Sequence, residues 1–366
     1  MKNITKIVLT GGPCAGKTTA LVKINEHFSN LGYKVFTVPE VPTMVTQSGW
    51  NYLTDNMDFY KEGEKVILEL QLSLEEKMTH IAETCPEPCL IVCDRGAMDI
   101  SAYISPEMWE ELTEACGTST AELKGAHYDA VLHLVSAADG AEKYYTTANN
   151  AQRYEKADEA GLAIARSLDK KIVQAWTGHP HLRVINNGED FERKMQRVIK
   201  EISSVLGLPQ PIVEERKYIV EIVGELPECI ESDITQTYLV AEPGCEVRIR
   251  KRVTNGVTTN IHTTRRKISD KEELVTERHV GNNLYETMLQ QADPYRHTIV
   301  KNRKSFIWTG QFFELDTYIS PVKDLIILET KGIACHEDLK LPPFLRIVED
   351  ITGNTDYFNK NLALKK

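Results

Sequence analysis

The chain has 366 residues, enough for two domains of ordinary size. Hydrophobic residues make up 42% and charged residues 26%, which excludes a disordered or fibrous chain. No apolar run is long enough to span a bilayer, and no charged-then-apolar leader opens the sequence. A net charge of −10 excludes a surface that binds nucleic acid generally, while leaving room for a local basic site. The eight cysteines form no C-x-x-C pair. Cys85, Cys89 and Cys93 are spaced by four, but Pro86 and Pro88 break any helix there, so reduced thiols in a cytoplasmic protein are expected.

The first predicted element is a buried strand at 4–10. Gly11, Gly12, Pro13, Cys14, Ala15, Gly16, Lys17 and Thr18 then fit G-x-x-x-x-G-K-[ST] without substitution. A helix is predicted at 19–31, opening at Thr19, with Leu21, Ile24, Phe28 and Leu31 on one face. Strand, glycine loop and helix in that order make a P-loop, whose amides cradle phosphates at a helix N-terminus. Lys17 is placed to bridge the β- and γ-phosphates, and Thr18 to offer its hydroxyl to Mg²⁺.

A second strand at 33–38 ends in Val38-Pro39-Glu40. A carboxylate there faces an acceptor and is a candidate base. A long amphipathic helix follows, with Phe59, Val66, Leu70, Leu74, Met78 and Ile81 on its predicted buried stripe. The apolar strand 89–93 runs into Asp94-Arg95-Gly96. Asp94 is placed as a Mg²⁺-shell carboxylate, and Arg95 as a stabiliser of phosphoryl charge. Further strands are predicted at 130–135 and 182–185, with helices near 155–178 and 189–206. Alternation of this kind gives a parallel sheet covered by helices on both faces, with ligands at the carboxyl ends of the strands. The polar segment 136–155 has the placement of a phosphate lid. Arg153 is its first candidate to contact the γ-phosphate, and Arg166 the second. His179 and His181 flank Pro180 without a carboxylate or cysteine partner, so no metal pair is expected there.

Three of these stretches carry a resemblance beyond the P-loop. They are Asp94-Arg95-Gly96, residues 128–142 with Ala137-Ala138-Asp139-Gly140-Ala141-Glu142, and Gly178-His179-Pro180-His181-Leu182-Arg183-Val184-Ile185. Together they resemble the NadR-like P-loop domain. More closely, they resemble the TRPL translocation defect proteins, in which that domain precedes a CYTH-like domain. The resemblance implies a kinase-type fold, guanine-nucleotide binding and association with acidic phospholipids. No residue pattern separates guanine from adenine, so Mg²⁺ with ATP or GTP is the expected cofactor set.

Gly207-Leu208-Pro209-Gln210-Pro211 reads as a linker, giving expected domains at 1–207 and 212–366. Beyond it the pattern becomes one of strands. Lys217 alternates with Tyr218 and Val220, and Arg248, Arg250 and Arg252 alternate with apolar neighbours. Asn255-Gly256 makes a hairpin turn, and Arg265, Lys301 and Arg303 lie on later strands. Glu314, Asp316 and Glu329 follow on acidic strands. Charge of both signs on many consecutive strands suggests an antiparallel barrel or tunnel with its charged face inward. Its arginines and lysines would grip phosphates, and its carboxylates would hold Mg²⁺ or Mn²⁺. The CYTH resemblance implies a triphosphate tunnel whose metal is held by glutamates, here Glu215, Glu314, Asp316 and Glu329. The chain departs from that pattern twice. Val213 replaces the first Glu of E-x-E-x-K, and Lys331 the second Glu of the late E-x-E. Anion binding, of polyphosphate, a phosphoinositide or phosphatidic acid, is therefore expected above hydrolysis. Peripheral membrane contact is compatible with that ligand class.

The sequence thus points to a nucleoside-triphosphate-binding protein, a slow NTPase or switch, with a second anion site. Two alternatives stay open: a nucleoside-like small-molecule kinase using Glu40 as base, and a CYTH-type triphosphatase.

Overall fold

The structure, a computed structural model, describes residues 4–125, 127–145, 158–187, 191–211, 216–269, 272–309, 311–330 and 339–365. The chain divides into two compact units, Met1–Ile199 and Lys200–Lys366. Among the described residues no helix is long and apolar enough to cross a membrane.

The first unit runs β1 (Ile4–Thr10), α1 (Lys17–Asn30), β2 (Lys34–Val38), α2 (Val41–Gln47), α3 (Met57–Thr84) and β3 (Cys89–Asp94). It continues through α4 (Pro106–Ala115), α5 (Thr120–Gly125), β4 (Ala130–Leu134), α6 (Glu159–Trp176), β5 (Leu182–Ile185) and α7 (Phe191–Val205). Its five-stranded sheet is parallel, in the order β2-β3-β1-β4-β5. β4 is buried along its whole length, and β3 is buried up to Asp94, as expected for strands covered on both faces. The register pairs Leu9 with Asp94 and Thr10 with His133, so the ends of β1, β3 and β4 lie level where the loops begin.

Two predicted helix faces are corrected. α1 ends before Leu31, which is exposed, and its buried residues are Ala20, Ile24 and Phe28. In α3, the stripe expected to be buried contains Phe59, Leu70 and Ile81, all exposed. The buried face instead carries Glu64, Ile67, Leu68, Gln71 and Glu75. The reason is that α3 borders a polar cleft and a buried ion pair, so hydropathy alone misassigns its inner face.

The second unit contains β6 (Gln210–Pro211), β7 (Arg216–Ile222), β8 (Ile230–Leu239), β9 (Cys245–Thr254), β10 (Val257–Lys267), β11 (Glu272–His279) and α8 (Asn282–Leu289). Then come β12 (Ile299–Trp308), β13 (Gln311–Ser320), β14 (Ile326–Thr330), β15 (Leu345–Asp350) and α9 (Asn359–Leu362). Its ten-stranded sheet has the order β15-β7-β14-β13-β12-β8-β9-β10-β11-β6, and its pairings are antiparallel. One face packs an apolar core of Tyr218, Val220, Phe306, Phe313, Leu315, Leu328, Phe344 and Leu345. The other carries the alternating charges. Asp316 is 0% exposed, Lys301 2%, Arg252 6% and Arg303 7%, so that face is turned inward rather than toward solvent. Ile351 and Ala363 pack with Tyr238, Ile299, Tyr318 and Ile327, and Leu362 lies against them.

Candidate functional site

The glycine loop is held from several sides. Gly11 has φ 142°, and a Cβ there would lie 2.1 Å from the Leu134 carbonyl oxygen, so only glycine fits. The Gly12 amide donates to Asp169 Oδ1 at 2.6 Å. His133 Nε2 lies 3.2 Å from the same oxygen. Ser136 Oγ donates to the Pro13 carbonyl at 2.5 Å. Lys194, buried on α7, donates to the carbonyls of Ala15 (3.0 Å) and Val135 (2.8 Å) and to Asn187 Oδ1 (2.7 Å). Lys17 folds back, donating to Gly11 O at 3.0 Å. Burial, seconded by the Arg95 charge, lowers its ammonium to about 8. A triphosphate would return it to full charge.

The turn after β3 is equally fixed. Asp99 accepts from Thr10 Oγ1 (2.6 Å), Trp176 Nε1 (2.9 Å) and the Gly96 amide (2.9 Å), tying the turn to β1 and α6. Arg95 has φ 70°, a conformation an arginine adopts only when its surroundings impose it. Its carbonyl accepts from Gln71 at 3.3 Å. Its Nε donates to Glu40 at 2.5 Å, and its buried Nη1 has no hydrogen-bond partner among the described residues. Burial pushes the Glu40 carboxyl up, but the Arg95 and Lys17 charges outweigh it and hold it at about 2. Glu40 lines the cavity and pairs with Arg95 there.

Asp94 stands beside these groups. Its Oδ1 is buried without a hydrogen-bond partner among the described residues, and burial raises its carboxyl despite the nearby Lys17 charge. An orphaned carboxylate oxygen on the cavity that Thr18 also lines fits a Mg²⁺ ion held by those two residues with the phosphates of a nucleotide. Pro13 to Thr19 line the same cavity; Gly11 and Gly12 form the turn behind it.

That cavity, about 940 Å³, extends well beyond the phosphate loop. Its far wall is Trp50, Tyr52, Tyr60, Glu64, Gln71 and Tyr103. Trp50 stacks on Tyr60 with ring centroids 6.1 Å apart. Its indole covers Gly63 of α3, where a Cβ would lie 2.0 Å from the ring. Glu64 is buried and hydrogen-bonded to Tyr60, and burial raises its carboxyl to about 7. This wall was missed at the sequence level. Its signal was a carboxylate and an amide in phase with apolar α3 residues.

Arg153 lies outside the described residues. Arg166 is engaged on the surface, donating to Ala138 O at 2.6 Å and pairing with Glu159 and Glu142. Lys171, which the sequence did not single out, lines the cavity. His179 and His181 bond the backbone carbonyls of Tyr128 and Asp129, at 3.1 and 2.8 Å.

In the second unit, the register brings the predicted residues onto one face. Lys217 pairs with Glu329 at 2.9 Å, and Lys301 pairs with Asp316. Arg303 contacts Glu314 (2.7 Å), Asp316 (2.6 Å) and Glu329 (3.2 Å). Arg248 has Tyr238 and Glu246 beside it, whereas Arg250 and Arg252 have no ion pair among the described residues. All three arginine Nε atoms lack a hydrogen-bond partner there. Burial lowers Arg250 and Arg252 to about 10. Arg265 is half exposed and pairs with Glu273 at 3.4 Å. Glu215, Val213 and Lys331 lie outside the described residues. Of the expected metal set, Glu314, Asp316 and Glu329 are engaged by basic side chains.

No curated protein matches the chain. Among solved structures it is similar to the hypothetical protein NE1496 and to the inorganic triphosphatase NE1496. Each is 24% identical with a TM-score of 0.33, over 42% of this chain and 99% and 97% of theirs. It is also similar to PH1819 from Pyrococcus horikoshii OT3, 19% identical with a TM-score of 0.26, over 34% of this chain and 80% of that one. A family model described as an AAA domain matches residues 6–194, a span that takes in the glycine loop and the cleft beside it. That span is more than half of the chain, and the chain belongs to this family of AAA domains.

Proposed function

We propose that the first unit binds a nucleoside triphosphate with Mg²⁺ and transfers its terminal phosphoryl group to a small acceptor seated in the aromatic cleft. One observation carries this reading: a single cavity is lined both by the P-loop and by Trp50, Tyr52, Tyr60, Glu64, Gln71 and Tyr103. A switch or a simple NTPase needs no second wall. Stacked aromatic rings with a carboxyl and an amide on the same cavity suit a planar, hydrogen-bonding acceptor of the nucleoside-like class.

The chemistry asks mainly for positive charge around the transferred group. Lys17 supplies it at the loop, and Arg95 lines the same cavity, its Nη1 without a hydrogen-bond partner among the described residues. Mg²⁺ held by Thr18 and Asp94 would neutralise phosphate charge. Glu40 pairs with Arg95 and, on the same cavity, is the candidate to take the acceptor hydroxyl's proton as nucleoside diphosphate leaves. The test is nucleoside-diphosphate release from ATP and from GTP, with and without a panel of nucleosides. The expected result is turnover stimulated at least tenfold by an acceptor and lost in Lys17→Ala, with the acceptor KM raised in Trp50→Ala. Turnover indifferent to every acceptor would favour the switch.

A second reading concerns the other unit. Buried Arg252 and half-buried Arg250, with no ion pair among the described residues, support an anion-binding module for polyphosphate or a phosphorylated headgroup. Titration with inorganic tripolyphosphate and with phosphatidic acid vesicles separates the two sources. The guanine preference and lipid association implied by the TRPL translocation defect resemblance stand or fall in the same measurements.

A further inference from the structure

Three carboxylates on neighbouring strands would ordinarily invite a divalent cation. Such an ion needs several carboxylate oxygens free to approach to about 2.0–2.6 Å. Here β13 and β14 supply Glu314, Asp316 and Glu329, and the register sets Glu314 directly opposite Glu329. A single guanidinium touches all three. Arg303 Nη1 lies 2.7 Å from Glu314. Its Nε and Nη2 each lie 2.6 Å from Asp316, and Nη2 is 3.2 Å from Glu329. Lys301 adds a second contact to Asp316, and Lys217 a second to Glu329.

We infer that Arg303 stands where a divalent ion would bridge these carboxylates, and that the charged face takes its anionic ligand without metal. Among the described residues three acidic groups contact three basic ones, and those six together carry no net charge. The side chains of Lys301, Arg303 and Lys217 are 3%, 9% and 16% exposed, which leaves them no solvent to swing into. An added dication would meet three fixed positive charges at close range.

Guanidiniums with no ion pair among the described residues lie further along the same face. Ile234 of β8 stands opposite both Lys301 and Arg252, and Gln236 opposite Arg250. Arg252 is 6% exposed, and its Nε is without a partner among the described residues. Residues two apart on a strand, as Arg250 and Arg252 are, have their Cα atoms about 6.8 Å apart. That spacing suits a ligand with at least two anionic groups in a row, a linear polyphosphate or a polyphosphorylated headgroup. The anion half of this inference rests on the second reading above, and the metal half does not.

The experiment uses the full chain without nucleotide. Mn²⁺ is titrated, followed by electron paramagnetic resonance, in wild type, Glu314→Gln, Arg303→Met and the Arg303→Met/Glu314→Gln double variant. Mn²⁺ uptake should be the same in wild type and Glu314→Gln. Arg303→Met should gain one Mn²⁺ site, and the double variant should lose it. Inorganic tripolyphosphate is then titrated calorimetrically in EDTA into the full-length Lys17→Ala variant, whose phosphate loop is disabled, and binding is expected there. Should Arg303→Met not fold, the arms without it decide. A wild-type Mn²⁺ site that Glu314→Gln removes would overturn the metal half. Tripolyphosphate binding seen with Mn²⁺ and absent in EDTA would overturn the inference as a whole. Absence of binding in both buffers would overturn the anion half and the reading beneath it.

Discussion

The carboxylate of Asp169, midway along α6, accepts the amide proton of Gly12 at 2.6 Å. The two residues are 157 positions apart, and the bond fixes one peptide of the phosphate loop before any ligand arrives. Removing the acceptor leaves a buried N–H unsatisfied, at a cost of about 1–3 kcal/mol. Asp169→Ala should therefore lower the melting temperature by several degrees and weaken nucleotide binding. Asp169→Asn, which still offers an oxygen, should retain most of both. Calorimetry and thermal shift on the two variants check this. Wild-type affinity in the alanine variant would show that the loop holds its shape unaided.

Lys17→Ala should abolish nucleotide binding in a folded protein, because the ammonium acts on phosphates and contributes little packing. Its titration adds a finer test. The free ammonium is lowered to about 8 by burial, and bound phosphates raise it again. Binding above pH 8 must therefore take up a proton. Nucleotide affinity should be flat from pH 7 to 8 and then fall, approaching tenfold per pH unit. Affinity unchanged at pH 9.5 would mean that Lys17 does not contact the phosphates.

Asp94→Asn should weaken binding of the Mg²⁺-nucleotide complex much more than binding in EDTA. The carboxylate acts on the ion, whereas the loop amides act on phosphate directly. Equal losses in both buffers would make Asp94 structural.

Glu64 links the cleft to stability. Burial raises its carboxyl from the ordinary 4.5 to about 7. The folded state thus keeps a proton that the unfolded state releases, and stability falls as pH rises through 4.5 to 7. Glu64→Gln removes this loss. The variant should melt several degrees above wild type at pH 8, an effect on the order of 1–3 kcal/mol, and match it at pH 4.5. Melting curves at the two pH values decide. A shift equal at both would point to packing rather than charge.

Arg252 should trade stability for ligand. Burial, seconded by the Arg303 charge and only partly offset by Glu314 and Asp316, lowers its guanidinium to about 10, so the charge opposes folding at neutral pH. Arg252→Met should raise stability by about 1–3 kcal/mol while reducing tripolyphosphate affinity at least tenfold. A variant both less stable and equally able to bind would place Arg252 in a structural network.

The P-loop was legible because its parts are contiguous, and the strand at Cys89–Asp94 because its apolar run ends in the turn residues themselves. The charged strands of the second unit were legible as faces, since alternation assigns every second residue to one side. Their pairings were not. Arg303 meets Glu329 only through an order that sets β14, β13 and β12 side by side. Asp169, Lys194 and Glu75 were hidden for another reason. Each sits in phase with the apolar residues of its helix, where hydropathy reads a charge as a solvated position. They are buried because each bonds a loop or strand brought close only by the tertiary fold.

α3 is one unbroken helix from Met57 to Thr84. Glu64 and Ile67 line the cleft. Gln71 bonds the Arg95 carbonyl, and Glu75 accepts from Tyr128 and pairs with Lys6. From Glu64 to Gln71 is about 10 Å of rigid rod at 1.5 Å per residue. The groups that choose an acceptor and the group that steadies the arginine are thus mounted on one shaft. A lineage that retunes this wall for a new substrate inherits a disturbance at Arg95. Substitutions on α3 should therefore spread in compensating sets, and single swaps of acceptor preference should exact a toll in turnover.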